Sequence, residues 1–187
     1  MSGKLLFALW ITAATAPGAA LRYWVEPCTA PENVCHAGDP ELAQWAMEAW
    51  QEASGGKLTL EKTTSEEKAH IRLYWSGGRP GLYGEARPIL VEGVRGAEVY
   101  VVTPEAGSSD TLLRDAIVYL TCVHETGDAL GLAHTAAFAD IMYSFQYGGD
   151  IPEYFGRYRR KLATRGDIRK TSALSEADRK RLVERFR

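Results

Sequence analysis

His124-Glu125-Thr126-Gly127-Asp128-Ala129-Leu130-Gly131-Leu132-Ala133-His134 is the stretch on which the reading of this chain turns. In a helix, positions 124 and 128 lie one turn apart on the same face, with Glu125 beside them. Gly131 is suited to the left-handed conformation that ends a helix and turns the chain back. That turn is expected to bring His134 toward the other two side chains. Two imidazoles and a carboxylate then converge, with a second carboxylate adjacent. Three donors and one open position are what a catalytic zinc site requires.

Working outward, the pattern before this stretch is one long helix from about Ser109 or Asp110 to Leu130. Upstream, Leu21–Val25 reads as a strand. Asp39-Pro40 opens a first helix in which Leu42, Trp45, Ala46, Ala49, Trp50 and Ala53 keep helical spacing until Ser54-Gly55-Gly56. Leu58-Thr59-Leu60 is a short strand, and residues 69–75 alternate as a clearer one. Gly84–Arg87 and Ala97–Val102 suggest two more, with a turn-prone link. Downstream, Ser175 and Asp178 form a capping box for a last helix carrying Leu182, Val183 and Phe186. The expectation is a single α+β domain: a small twisted mixed sheet, an N-terminal backing helix, a long central helix and a C-terminal helix.

The chain has 187 residues, 45% hydrophobic and 25% charged, which excludes wholesale disorder. With Lys+Arg 22 against Asp+Glu 24, its net charge of −2 gives no overall reason to bind nucleic acid or an anionic membrane. Lys4, the apolar run Leu5–Ile11 and the small residues to Ala20 have the parts of a secretory signal; a buried first element is the other reading. The run is too short to span a bilayer comfortably. Export would favour a bridge between Cys28 and Cys35. Cys122 reads as a buried small hydrophobe, and no C-x-x-C pair offers a cysteine zinc site. His36 and His70 lack metal-ligand spacing to the central stretch.

The stretch 124–134 resembles the metzincin zinc signature, H-E-x-x-H-x-x-G-x-x-H. Its flanks, His134-Thr135 and Asp140-Ile141-Met142-Tyr143, are similar to the matrixin branch and its methionine-bearing turn. The closing Leu174–Asp178 segment and the strand before Trp75 fit the same family. The N-terminal pattern puts a signal at residues 1–20, and the resemblance implies a metzincin-like catalytic domain over 21–187. The resemblance implies a zinc endopeptidase acting on peptides; the N-terminal pattern adds secretion or export to the periplasm, and size, charge and the short apolar run point to a monomer without a nucleic-acid partner or a stable membrane span. His124, Asp128 and His134 become the metal ligands, Glu125 the general base, and Met142, Gly131 and Tyr143 the support of the site. No cysteine-bearing pro-segment is expected, since only a few residues separate the cut from the first strand.

One position departs from the signature: the second histidine is Asp128. Aspartate binds zinc through oxygen, but it is shorter and harder than histidine. Other divalent ions are therefore admitted, and the added negative charge weakens activation of a bound water. A catalytically impaired scaffold that binds peptides is the alternative. Asp140 is a fallback carboxylate ligand or a turn residue. The segment Gly81–Ala86 matches the family's substrate-pairing edge strand, or is an ordinary hairpin. Tyr143, Phe145, Tyr147, Tyr154, Phe155 and Tyr158 are expected to line a hydrophobic pocket. Arg157, Arg159, Arg160 and Lys161 read as a solvated face.

Overall fold

The computed structural model describes residues 19–29, 35–77, 83–104 and 109–187. Most of the expected signal, and Gly81 and Leu82 of the expected edge segment, lie outside these residues. The described residues form a five-stranded mixed sheet and four α-helices, the α+β layout expected from the sequence.

Strands β1 (Ala19–Val25), β2 (Leu58–Lys62), β3 (Ile71–Ser76), β4 (Gly84–Val91) and β5 (Val94–Val102) stand in the order β2-β1-β3-β5-β4. All neighbours pair in parallel except β4 and β5, which form an antiparallel hairpin. Its two-residue turn, Glu92-Gly93, has positive φ at both positions, the turn whose twist matches the flanking strands. β1 begins at Ala19, with Ala19 and Ala20 paired to Leu58 and Thr59. It thus starts two residues earlier than the sequence pattern suggested.

The alternation in β3 and β5 buries Ile71, Leu73, Val99 and Val101 on one face. Helix α1 (Asp39–Ala53) supplies Leu42, Ala46, Met47 and Trp50 to this core. Its cap is Gly38, not Asp39. Asp39 is fully buried, accepts from the His36 N–H and pairs bidentately with Arg114, so its carboxylate serves a tertiary contact. Helix α2 (Thr111–Ala129), capped by the Asp110 side chain, is buried on most of its circumference, as a helix packed on more than one side must be. Helix α3 (Ile151–Arg159), capped by Asp150, was not anticipated. Helix α4 (Glu176–Arg185) carries the capping box of Ser175 and Asp178. A disulfide joins Cys28 to Cys35, and Cys122 is buried and free. No helix among the described residues is long and apolar enough to cross a membrane.

Candidate functional site

Helix α2 presents His124, Glu125 and Asp128 from its last two turns. It ends at Ala129, with Leu130 as the C-terminal cap and Gly131 at φ +83°. The Gly131 N–H donates to the Asp128 carbonyl (2.9 Å) and the Leu132 N–H to the Gly127 carbonyl (3.0 Å). This pair of bonds satisfies the last carbonyls of the helix and reverses the chain. Thr135, the residue after His134, is then pinned to the 140–144 turn: its N–H donates to the Met142 carbonyl (2.8 Å), and its carbonyl accepts from Ser144 (3.1 Å).

The result brings three donor atoms together. His124 Nε2 and His134 Nε2 are 3.1 Å apart, His134 Nε2 is 3.3 Å from Asp128 Oδ2, and His124 Nε2 is 3.6 Å from the same oxygen. Nitrogen and oxygen ligands at about 2.0–2.2 Å from a tetrahedral zinc ion stand roughly 3.3–3.6 Å from each other. Two of the three separations fall in that range and the third is slightly shorter, so the triangle has the size of a zinc site, with Asp128 Oδ2 as its third corner.

The His124 ring is oriented from behind. Its Nδ1 lies 2.6 Å from the Ile141 carbonyl, which can only accept, so Nδ1 carries the proton and Nε2 offers its lone pair. Burial lowers the His124 pKa against the opposing pull of Asp128 and this hydrogen bond, keeping the ring in its neutral, ligating form. The Ile141 N–H donates to Asp178 Oδ2 (2.8 Å), and the Tyr154 hydroxyl donates to the Asp140 and Ile141 carbonyls. Trp50 Nε1 donates to the Val123 carbonyl (2.8 Å), tying the helix just before His124. Asp178 and Trp50 were not picked out as site residues, and Tyr154 was expected only as a pocket aromatic, because each acts on the site through backbone distant in sequence.

Glu125 is 6% exposed. Burial, with the charges of Asp128 and Glu85, pushes its pKa up to about 8. The backbone of Gly84 on β4 packs against it: a Cβ there would stand 2.6 Å from Glu125 Cγ and Oε1. Met142 is fully buried, and a Cβ on Gly127 would collide with its Sδ and lie 2.9 Å from Trp50 Cζ2. Met142 thus packs against α2 just behind the donors, contributing no ligand atom. Tyr143 is buried and donates to the Gly148 carbonyl (2.6 Å), closing the same loop. Asp140 is engaged elsewhere: Ser175, Thr135 and Arg181 all donate to its carboxylate.

His124, Glu125, Asp128, His134 and Tyr143 face a cleft of about 390 Å³. Edge strand β4 contributes Gly84, Glu85 and Ala86 to its rim. Tyr83, Tyr143, Phe145, Tyr154 and Phe155 form an aromatic wall, with Tyr83 and Phe155 centroids 4.9 Å apart. Tyr147 is instead exposed, and Tyr158 is buried away from the cleft against Tyr119. The basic run is dispersed: Arg159 pairs with Asp110, Arg160 with Glu153, and Arg157 stacks on Phe138 and Tyr154.

No family model matches the chain, and no curated protein matches it. Among solved structures it is similar to archaemetzincin from Methanopyrus kandleri, with 14% identity over 92% of this chain and 98% of that one and a TM-score of 0.49. It is also similar to myroilysin, with 15% identity over 90% of this chain and 74% of that one and a TM-score of 0.39.

Proposed function

We propose that the chain is an exported zinc endopeptidase of the metzincin type, closest to the matrixin pattern, which hydrolyses peptide bonds with Glu125 as general base. The observation that carries this reading is the donor triangle of His124, Asp128 and His134, at 3.1–3.6 Å, beside a buried carboxylate in one cleft. The three side chains would hold the ion. When bound, it supplies Lewis acidity at an open position and a positive charge that favours the ionised form of Glu125. Glu125 then accepts a proton from the attacking water at its carboxylate and returns it to the leaving amine. β4, the outermost strand on its side of the sheet among the described residues, orients an extended peptide by strand pairing. The aromatic wall packs one substrate side chain and excludes water.

One observation favours the second reading, a peptide-binding scaffold without turnover. An aspartate, Asp128, stands at the second donor position, and its added negative charge weakens activation of a metal-bound water. Metal analysis separates the two. The endopeptidase reading expects one zinc per chain, lost in Asp128→Ala. Absence of zinc from the parent, with zinc and cleavage gained in Asp128→His, would establish the impaired scaffold instead.

A further inference from the structure

A second cavity lies back to back with the cleft. It measures about 170 Å³ and shares Leu120 and Tyr154 with the cleft wall. Among the described residues its only charged lining residues are Arg157 and Lys161, with no carboxylate. Among the described residues neither cation forms an ion pair, whereas Arg159 and Arg160 beside them both do. The Arg157 guanidinium lies over two rings, its Cζ 4.5 Å from the Tyr154 centroid and 4.8 Å from that of Phe138. Stacking occupies the face of the guanidinium plane and leaves N–H groups at its edge to donate.

The other polar groups of the cavity are already committed. The Tyr158 hydroxyl donates toward the Ile168 and Thr171 carbonyls, and Ser172 Oγ bonds Leu174 and accepts from Arg179. Among the side chains that line the cavity, the uncommitted polar groups are therefore the two cations. A planar donor fork and an ammonium that both line one small concavity are the complement of an oxyanion.

We propose that this cavity is a binding site for a small oxyanion, held by Arg157 and Lys161. The ligand is an inorganic tetrahedral anion or a peptide carboxylate, which share this chemistry. The site stands independently of the peptidase reading.

Thermal unfolding of the full chain tests it, with low-millimolar sodium sulfate compared with sodium chloride at matched ionic strength. Sulfate also stabilises proteins generally by exclusion from their surface, so the comparison with variants decides. At tenfold excess over its dissociation constant, sulfate should raise the midpoint by about 3–6 °C. That rise should vanish in the Arg157→Gln/Lys161→Gln double variant. Because Arg157 also packs on two rings, the single variant Lys161→Gln, at an exposed position, is measured alongside and should lose at least half the rise. A triglutamate peptide forms the second arm. A rise with the peptide and none with sulfate assigns the site to carboxylates; the reverse assigns it to inorganic anions. An equal rise in the parent and in both variants, or no rise with either ligand, overturns the proposal.

Discussion

Glu125 occupies a place where a carboxylate is costly: buried, beside Asp128 and Glu85, and capped by the backbone of Gly84. Its setting depends on Gly84 having no side chain. A methyl group at position 84 would stand 2.6 Å from Glu125 Cγ and Oε1, so either the carboxylate or the start of β4 must move. Displacing a reacting group by about 1 Å is enough to cost about a hundredfold in rate. We expect Gly84→Ala to lower kcat/KM for a peptide by at least that factor while zinc content stays at one per chain, as measured by parallel metal analysis and cleavage assays. Little of this was visible in the sequence. His124, Asp128 and His134 follow from helical spacing and a terminal glycine, which are local rules. The roles of Gly84 and Gly127 arise from the approach of elements distant in the chain, and spacing carries no trace of it.

At the level of elements, the site rests on the join between α2, the 140–144 turn and α4. Asp178 does two jobs with one carboxylate. Its Oδ2 accepts from the Ser175 N–H (2.9 Å), completing the cap of α4, and from the Ile141 N–H (2.8 Å), whose carbonyl orients His124. Removing it forfeits a helix cap and leaves a buried N–H unsatisfied, each costing about 1–2 kcal/mol. Asp178→Ala should therefore lower unfolding stability by about 2–4 kcal/mol in chemical denaturation and also weaken zinc retention. A purely structural role would leave the metal affinity of the folded fraction unchanged. The capping box itself was legible, because Ser175 and Asp178 are three residues apart. Helix α3 was not: it has nine residues, with Pro152 at its start and Gly156 inside it, and its aromatic residues follow no clear period. Asp39 misled for a related reason. An Asp-Pro pair signals a helix start, but the tertiary partner Arg114 claims the carboxylate and Gly38 takes the cap.

Across the whole molecule, His70 links the sheet to its environment. It is 6% exposed, and its Nδ1 accepts from the Arg22 N–H (2.9 Å) on β1. Its own carbonyl accepts from Ala97 (2.8 Å) on β5. Burial, reinforced by the charge of Arg22, lowers its pKa below the ordinary histidine value of about 6.5. The unfolded chain therefore takes up the proton first as pH falls. The stability tied to neutral His70 is complete above about pH 6.5 and is lost as pH drops toward the folded-state value. His70→Asn keeps an acceptor for Arg22 without the titration. The fall in thermal midpoint between pH 7 and pH 5 should be shallower in this variant than in the parent. Sequence alone read His70 as an ordinary strand residue, and the structure gives it a buried structural bond.

The reading of the chain as an endopeptidase is tested most directly by incubating zinc-replete protein with a mixed peptide library at neutral pH. The parent is compared with Glu125→Gln, and new termini are counted by mass spectrometry. Internal cleavage by the parent, reduced at least a hundredfold in Glu125→Gln at unchanged zinc content, is the expected result. No cleavage by the zinc-replete parent, or equal cleavage by both proteins, would contradict it.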